Sequence, residues 1–172
     1  MDRIEQVRLA AKEYGTRSVE NMRMGEKLGH EIMAAFDTYL TPKGGLVIGV
    51  PPTGEWQHDK GDYHDAAFSY YYEPLLTVRD VQFGMCIQIL DNLWVRLVVN
   101  LRKEGQRIGV FCGHGDDEVF WVPENYSTAD IDRICERLFQ TLLGLYRGDV
   151  NVFVHGNEKM LTIGFVPSRA NP

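Results

Sequence analysis

The feature that most constrains the fold is period-two alternation between Val81 and Val122. Val81, Phe83, Met85, Ile87 and Ile89 alternate with Gln82, Gly84, Cys86 and Gln88. Leu93, Val95, Leu97, Val99 and Leu101 do the same against Arg96, Asn100 and Arg102. Successive strand residues point to opposite faces, so each segment reads as a strand with one buried face. Asp91-Asn92 marks the turn between them.

A two-residue loop at Asp91-Asn92 would set Ile87 opposite Arg96 and mix the two faces. An odd loop, Asp91-Asn92-Leu93, pairs Ile89 with Val95, Ile87 with Leu97, Met85 with Val99 and Phe83 with Leu101. The polar face then pairs Gln88 with Arg96 and Gln82 with Arg102, so the spacing predicts the odd loop. A second turn with Glu104-Gly105 at its tip sets Leu101 opposite Ile108, Val99 opposite Val110 and Leu97 opposite Cys112. A Gly-rich turn, Gly113 to Asp117, leads to Val119–Val122, and Pro123 stops that strand.

The other face of this meander carries Gln82, Gln88, Arg96, Asn100, Arg102, Arg107 and Phe111. Arg102 and Arg107 are expected directly opposite each other, which is unfavourable for like charges. The plain expectation is a solvated face with carboxylates nearby. The sharper one is a site at Arg96, Arg102 and Arg107 for an anion or an acidic partner. Arg96 is a lone charge in a very apolar strand and suits a carboxylate or phosphate.

The flanking segments look built to cover the sheet. Ser127-Thr128-Ala129-Asp130 opens a helix, with Ser127 as N-cap and Asp130 as the reciprocal acid. Ile131, Ile134, Cys135, Leu138, Phe139, Leu142 and Leu143 form its stripe, and Gly148 is the expected residue beyond its end. Upstream, residues 2–14 and about 17–40 read as helices separated at Gly15. Met22, Gly25, Gly29, Ile32, Met33, Phe36 and Leu40 line the second. Its two glycines admit close packing on the sheet or a homodimer seam, and packing is the expectation. Gly45–Val50 reads as a short strand, Ala66–Tyr72 is strand-like, and Leu75–Val78 is a third short candidate. Val150–Val154 and Met160–Val166 flank His155-Gly156-Asn157-Glu158 and read as a closing hairpin.

The fold class expected is therefore α+β, in one domain spanning 1–172. An N-terminal helical segment (2–40) precedes a sheet segment (45–122), whose antiparallel sheet has about six strands. A long amphipathic helix (127–147) and a C-terminal hairpin (150–166) follow.

Composition bounds the function classes. The chain has 172 residues, 44% hydrophobic and 24% charged, as in a soluble globular protein. A net charge of −6 argues against non-specific nucleic-acid binding, so no nucleic-acid partner is expected. No window approaches the ~18 apolar residues of a membrane span, and residues 1–15 lack the apolar segment of a signal peptide. The cysteines, Cys86, Cys112 and Cys135, are odd in number and widely spaced, which fits free thiols and a cytoplasmic location.

Two segments carry metal-ligating residue types. His58-Asp59-Lys60-Gly61-Asp62-Tyr63-His64-Asp65 is either a metal loop or a polar surface loop. Cys112-Gly113-His114, at a strand end, is either a ligand or thiolate–base pair or a glycine-rich turn. Phosphate-binding and dinucleotide glycine loops, GxSxG, HExxH and CxxC are absent, so no particular cofactor is implied. Two functions are expected from this inventory. The first is a non-catalytic module binding a protein or small ligand. The second is a small metal-assisted enzyme using His58, His64 and His114.

Overall fold

The computed structural model describes residues 2–113, 118–155 and 166–167. The architecture is α+β. Helix α1 (Arg3–Leu40) is followed by strands β1 (Val47–Val50), β2 (Val81–Leu90), β3 (Leu93–Glu104), β4 (Arg107–Cys112) and β5 (Phe120–Pro123). Helix α2 (Thr128–His155) comes next, and a two-residue strand β6 (Val166–Pro167) closes the described chain. The sheet is antiparallel with order β1-β2-β3-β4-β5, and β6 adds to β3 at Val95 and Arg96. Among the described residues no helix is long and apolar enough to cross a membrane.

The alternation is realised with Val81, Phe83, Met85, Ile87, Leu97, Val99, Leu101, Ile108 and Val110 buried on one face, whereas Ile89, expected among them, is exposed. Leu28, Ile32 and Phe36 of α1 and Ile131, Ile134, Leu138 and Leu142 of α2 join them in one cluster. Both helices therefore lie on the same side of the sheet. They run in the same direction: Lys27 sits over the Tyr126 ring, while Tyr39 meets Phe139 and hydrogen-bonds Glu136. The Ser127–Asp130 capping box forms, with the Ser127 N–H donating to Asp130 Oδ2 at 2.8 Å.

Both hairpin registers differ from the expected ones by two residues, and neither changes the faces. The first turn is the two-residue Asp91-Asn92 loop after all: Leu90 pairs with Leu93, and a bulge at Ile89 absorbs one residue. Ile87 then faces Val95, Met85 faces Leu97, Phe83 faces Val99, and Cys86 rather than Gln88 faces Arg96. A bulge inserts one residue on one strand only, so it restores the parity that the short turn breaks. At the second turn Glu104 pairs with Arg107 around Gly105-Gln106, and Gly105 takes φ 58°. Arg102 consequently faces Gly109, and the expected Arg102–Arg107 opposition does not occur.

Three helical expectations are also corrected. Gly15 does not interrupt α1, and α2 runs through Gly148 to His155, so residues 150–154 are helical rather than strand. An exposed glycine inside a helix costs about 1 kcal/mol, less than starting a new helix. The second arm of the expected hairpin, Met160–Phe165, and its turn after His155 lie outside the described residues. The segment 66–72 forms two 3-10 turns, His64–Ala67 and Ser69–Tyr72, closed by the Tyr72 hydroxyl donating to Ala66 O at 2.8 Å. Phe68 between them makes a single bridge to Phe83. Residues 75–78 form no strand; Asn21 Nδ2 holds that stretch to α1 through Thr77 O (3.1 Å) and Arg79 O (2.6 Å).

The α1 glycines serve close packing on the sheet. A Cβ on Gly25 would lie 2.6 Å from Val81, and one on Gly29 would lie 2.5 Å from Phe68. The corner after α1 is pinned by Asp37. Its carboxylate accepts the N–H groups of Gly45 (2.7 Å), Leu46 (2.8 Å) and Val47 (3.0 Å).

Candidate functional site

With both helices on one face, the opposite face is covered in part by the chain where it leaves β1, and beside β4 by Val119 and Trp121, which a Cβ on Gly109 would meet at 2.5 and 3.1 Å. Gly84 makes the first cover fit. A Cβ there would lie 2.4 Å from Val50 O, so only glycine lets β1 turn onto the sheet. Residues 51–57 then cross over β3, and Arg96 points into the layer between.

Arg96 is 5% exposed. Its Nη1 donates to Pro51 O at 3.1 Å and to Gly54 O at 2.8 Å. Gly54 adopts φ 78°, which brings its carbonyl within reach. The Arg96 Nε is buried and has no hydrogen-bond partner among the described residues. Among the described residues no carboxylate pairs with this guanidinium. Its cross-strand neighbour Cys86 is fully buried, and burial pushes that thiol up to about 12, so it supplies no negative charge. Burial also lowers the Arg96 pKa, yet an arginine stays charged in proteins. A charge removed from water costs several kcal/mol when left without an ionic partner.

Trp94, two positions earlier on the same face of β3, stacks on the His58 ring with centroids 4.6 Å apart and planes 15° apart. The 51–58 segment thus carries one sequence-nominated residue, His58, to the strand face that holds another, Arg96. The other two arginines are already engaged. Arg102 makes a fork to Asp80, with Nε and Nη2 at 3.1 and 3.0 Å, and lies over the Phe111 ring. Arg107 pairs with Glu104 at 3.1 Å and lies 4.0 Å from the Trp121 ring centre. Arg96 therefore stands apart from the pair with which the sequence grouped it.

His64 is exposed, at φ 51°, and its N–H donates to Asp62 Oδ1 at 2.6 Å. His114 lies outside the described residues. Neither His58 nor His64 enters a group of three converging metal donors among the described residues. A different trio does: Glu26 and His30, one helical turn apart on α1, with Asp65 from the 3-10 turn, all donor atoms lying within 4.8 Å of one another. The His30 ring is set edge-on against Phe68 at 4.9 Å. Burial, then Glu26 and Asp65, push the nearby Tyr70 hydroxyl up to about 12. These three side chains could hold a hard divalent cation with positions left for water. The i, i+4 spacing of Glu26 and His30 was a readable signal; their closeness to Asp65 depends on the tertiary fold.

Comparison with protein-family models, with curated proteins and with solved structures found no match.

Proposed function

We propose that the protein is a non-catalytic binding module whose ligand is an anion, a carboxylate or a phosphate group, received at Arg96 beneath the 51–57 segment. One observation supports this reading above the others. Among the described residues a buried guanidinium is met by two main-chain carbonyls, and its Nε is left without a partner. Carbonyl oxygens satisfy donors but do not neutralise charge, whereas a bidentate anion does both. The part that would open is the exposed stretch 53–55 around Gly54, hinged on the buried Pro51 and Pro52. His58 on Trp94 forms an adjacent flat wall for the rest of the ligand.

The test is thermal unfolding of the wild type and Arg96→Met in a series of phosphate and short dicarboxylate concentrations at constant ionic strength. The expected result is an anion-dependent rise in midpoint for the wild type alone. Equal response in both proteins, or none in either, overturns the reading.

A second reading rests on the Glu26–His30–Asp65 convergence. Here a divalent cation neutralises two carboxylates that have no ion-pair partner among the described residues. This metal-assisted alternative transfers from the 58–64 loop to α1 and Asp65. Titration calorimetry with Mn²⁺ and Zn²⁺ tests it, with loss of binding expected in His30→Ala. No heat in the wild type removes it.

A further inference from the structure

Arg96 and Trp94 lie two positions apart on β3, so both side chains leave the same face of the sheet, about 7 Å apart at the backbone. Across the β2–β3 pair they face Cys86 and Gln88, and neither neighbour carries a charge at neutral pH. One stretch of chain touches both. Pro51 O and Gly54 O accept from the Arg96 guanidinium, and four residues further on the His58 ring stacks on Trp94. The two contacts differ in kind. One is a point where a donor meets oxygen; the other is a flat face where a ring meets a ring. Trp94 and His58 are both half-buried, so the stack keeps an accessible surface. Arg102 and Arg107 of the same sheet face are paired with Asp80 and Glu104. The guanidinium of Arg96 therefore acts singly, which matches one monoanionic group rather than a polyphosphate.

We propose, resting on the anion reading of Arg96, that the ligand is an aromatic monocarboxylate. Its carboxylate takes the Arg96 guanidinium, Nε included, and its ring lies against the Trp94–His58 stack. A carboxylate accepts two parallel N–H bonds from one guanidinium, so Nε and an Nη are met together. Two main-chain carbonyls on Nη1 do not achieve that. The spacing along β3 sets the size of the acid. It is bridged by a carboxylate standing one or two carbons from its ring. A saturated ring of the same bulk has no π face to stack and gains less.

Titrations of the full chain with acetate, phenylacetate and cyclohexylacetate at constant ionic strength, followed by its ¹H–¹⁵N NMR spectrum, test this. Phenylacetate is expected to bind about fivefold tighter than either of the others. It is also expected to shift the Arg96 Nε–H and Trp94 Nε1–H signals together. Trp94→Leu is expected to bring phenylacetate down to the acetate level and leave acetate as it was, and Arg96→Met to abolish all three responses. The same spectrum reports whether each variant is folded, and the comparison of the three acids needs no variant. Equal affinity for phenylacetate and cyclohexylacetate in the wild type, or a preference that survives Trp94→Leu, overturns the aromatic ligand and leaves the anion reading standing. No response to any of the three acids overturns both.

Discussion

Arg96 stands directly across the β2–β3 pair from Cys86, and the thiol leaves its charge uncompensated. Among the described residues its hydrogen-bond acceptors are two carbonyls from a loop more than forty residues earlier in the chain. Linkage turns this into a measurable expectation. Anion at 100 times its dissociation constant should add about 2.7 kcal/mol to the unfolding free energy of the wild type and nothing to Arg96→Met. Chemical denaturation with and without phosphate reads the difference.

Glycine substitutions should separate by what their new Cβ would meet. Gly84→Ala meets the Val50 carbonyl at 2.4 Å, a backbone obstacle that cannot rotate away, and should cost about 3 kcal/mol or more. Gly25→Ala and Gly29→Ala meet Val81 and Phe68 side chains and should cost about 1–3 kcal/mol despite better helix propensity. Gly15→Ala meets nothing within 4 Å and should stabilise by up to about 1 kcal/mol. Urea midpoints for the four variants decide the order.

Asp37→Ala removes one carboxylate from three main-chain N–H groups at the α1–β1 corner. A loss of about 2 kcal/mol is expected, with Asp37→Asn retaining part of it. Hydrogen exchange at Leu46 and Val47 should accelerate in step. Unchanged protection there would mean that the corner is held by other contacts.

The thiols should be slow. Burial pushes Cys86 and Cys112 up to about 12 and Cys135 up to about 11. The thiolate is the reactive form, so native protein near neutral pH should react with a thiol reagent far more slowly than a free cysteine. All three should react at once in denaturant. A fast-reacting native thiol would contradict this.

The α2 cap should make an acid-sensitive contribution. Asp130 is held below the usual carboxylate range, first by the backbone N–H of Ser127 and then by its hydroxyl. A depressed folded-state pKa stabilises above the unfolded value and is lost as pH falls through the folded one. The stability gap between wild type and Asp130→Asn should therefore be full at neutral pH and shrink below about pH 4. Ser127→Ala should cost about 1 kcal/mol at neutral pH.

The faces of the sheet were legible because Val, Ile and Leu at every second position leave no other assignment for 81–101. The pairing was not. A bulge at Ile89 costs one residue and has no composition of its own, so parity alone favoured a longer turn. Gly15 and Gly148 misled for a related reason: a glycine is punctuation only where the neighbouring residues cannot carry the helix through it. Arg96 was conspicuous as a charge in an apolar strand, but its solitude was hidden. That depends on where residues 51–54 settle and on Gly84 making room for them. The Arg102–Asp80 fork was unreadable in the same way, since it joins a strand to the loop that precedes β2.

Asp37 and its three donors are separated by only eight to ten residues. Closing so short a span sacrifices little chain entropy compared with pairing β1 to β2 across the long loop that follows. The bend from helix into sheet is therefore cheaper for an unfolded chain to find than the pairing of β1 with β2. A folding route that starts there would deliver the first strand already aimed at the hairpin it must join.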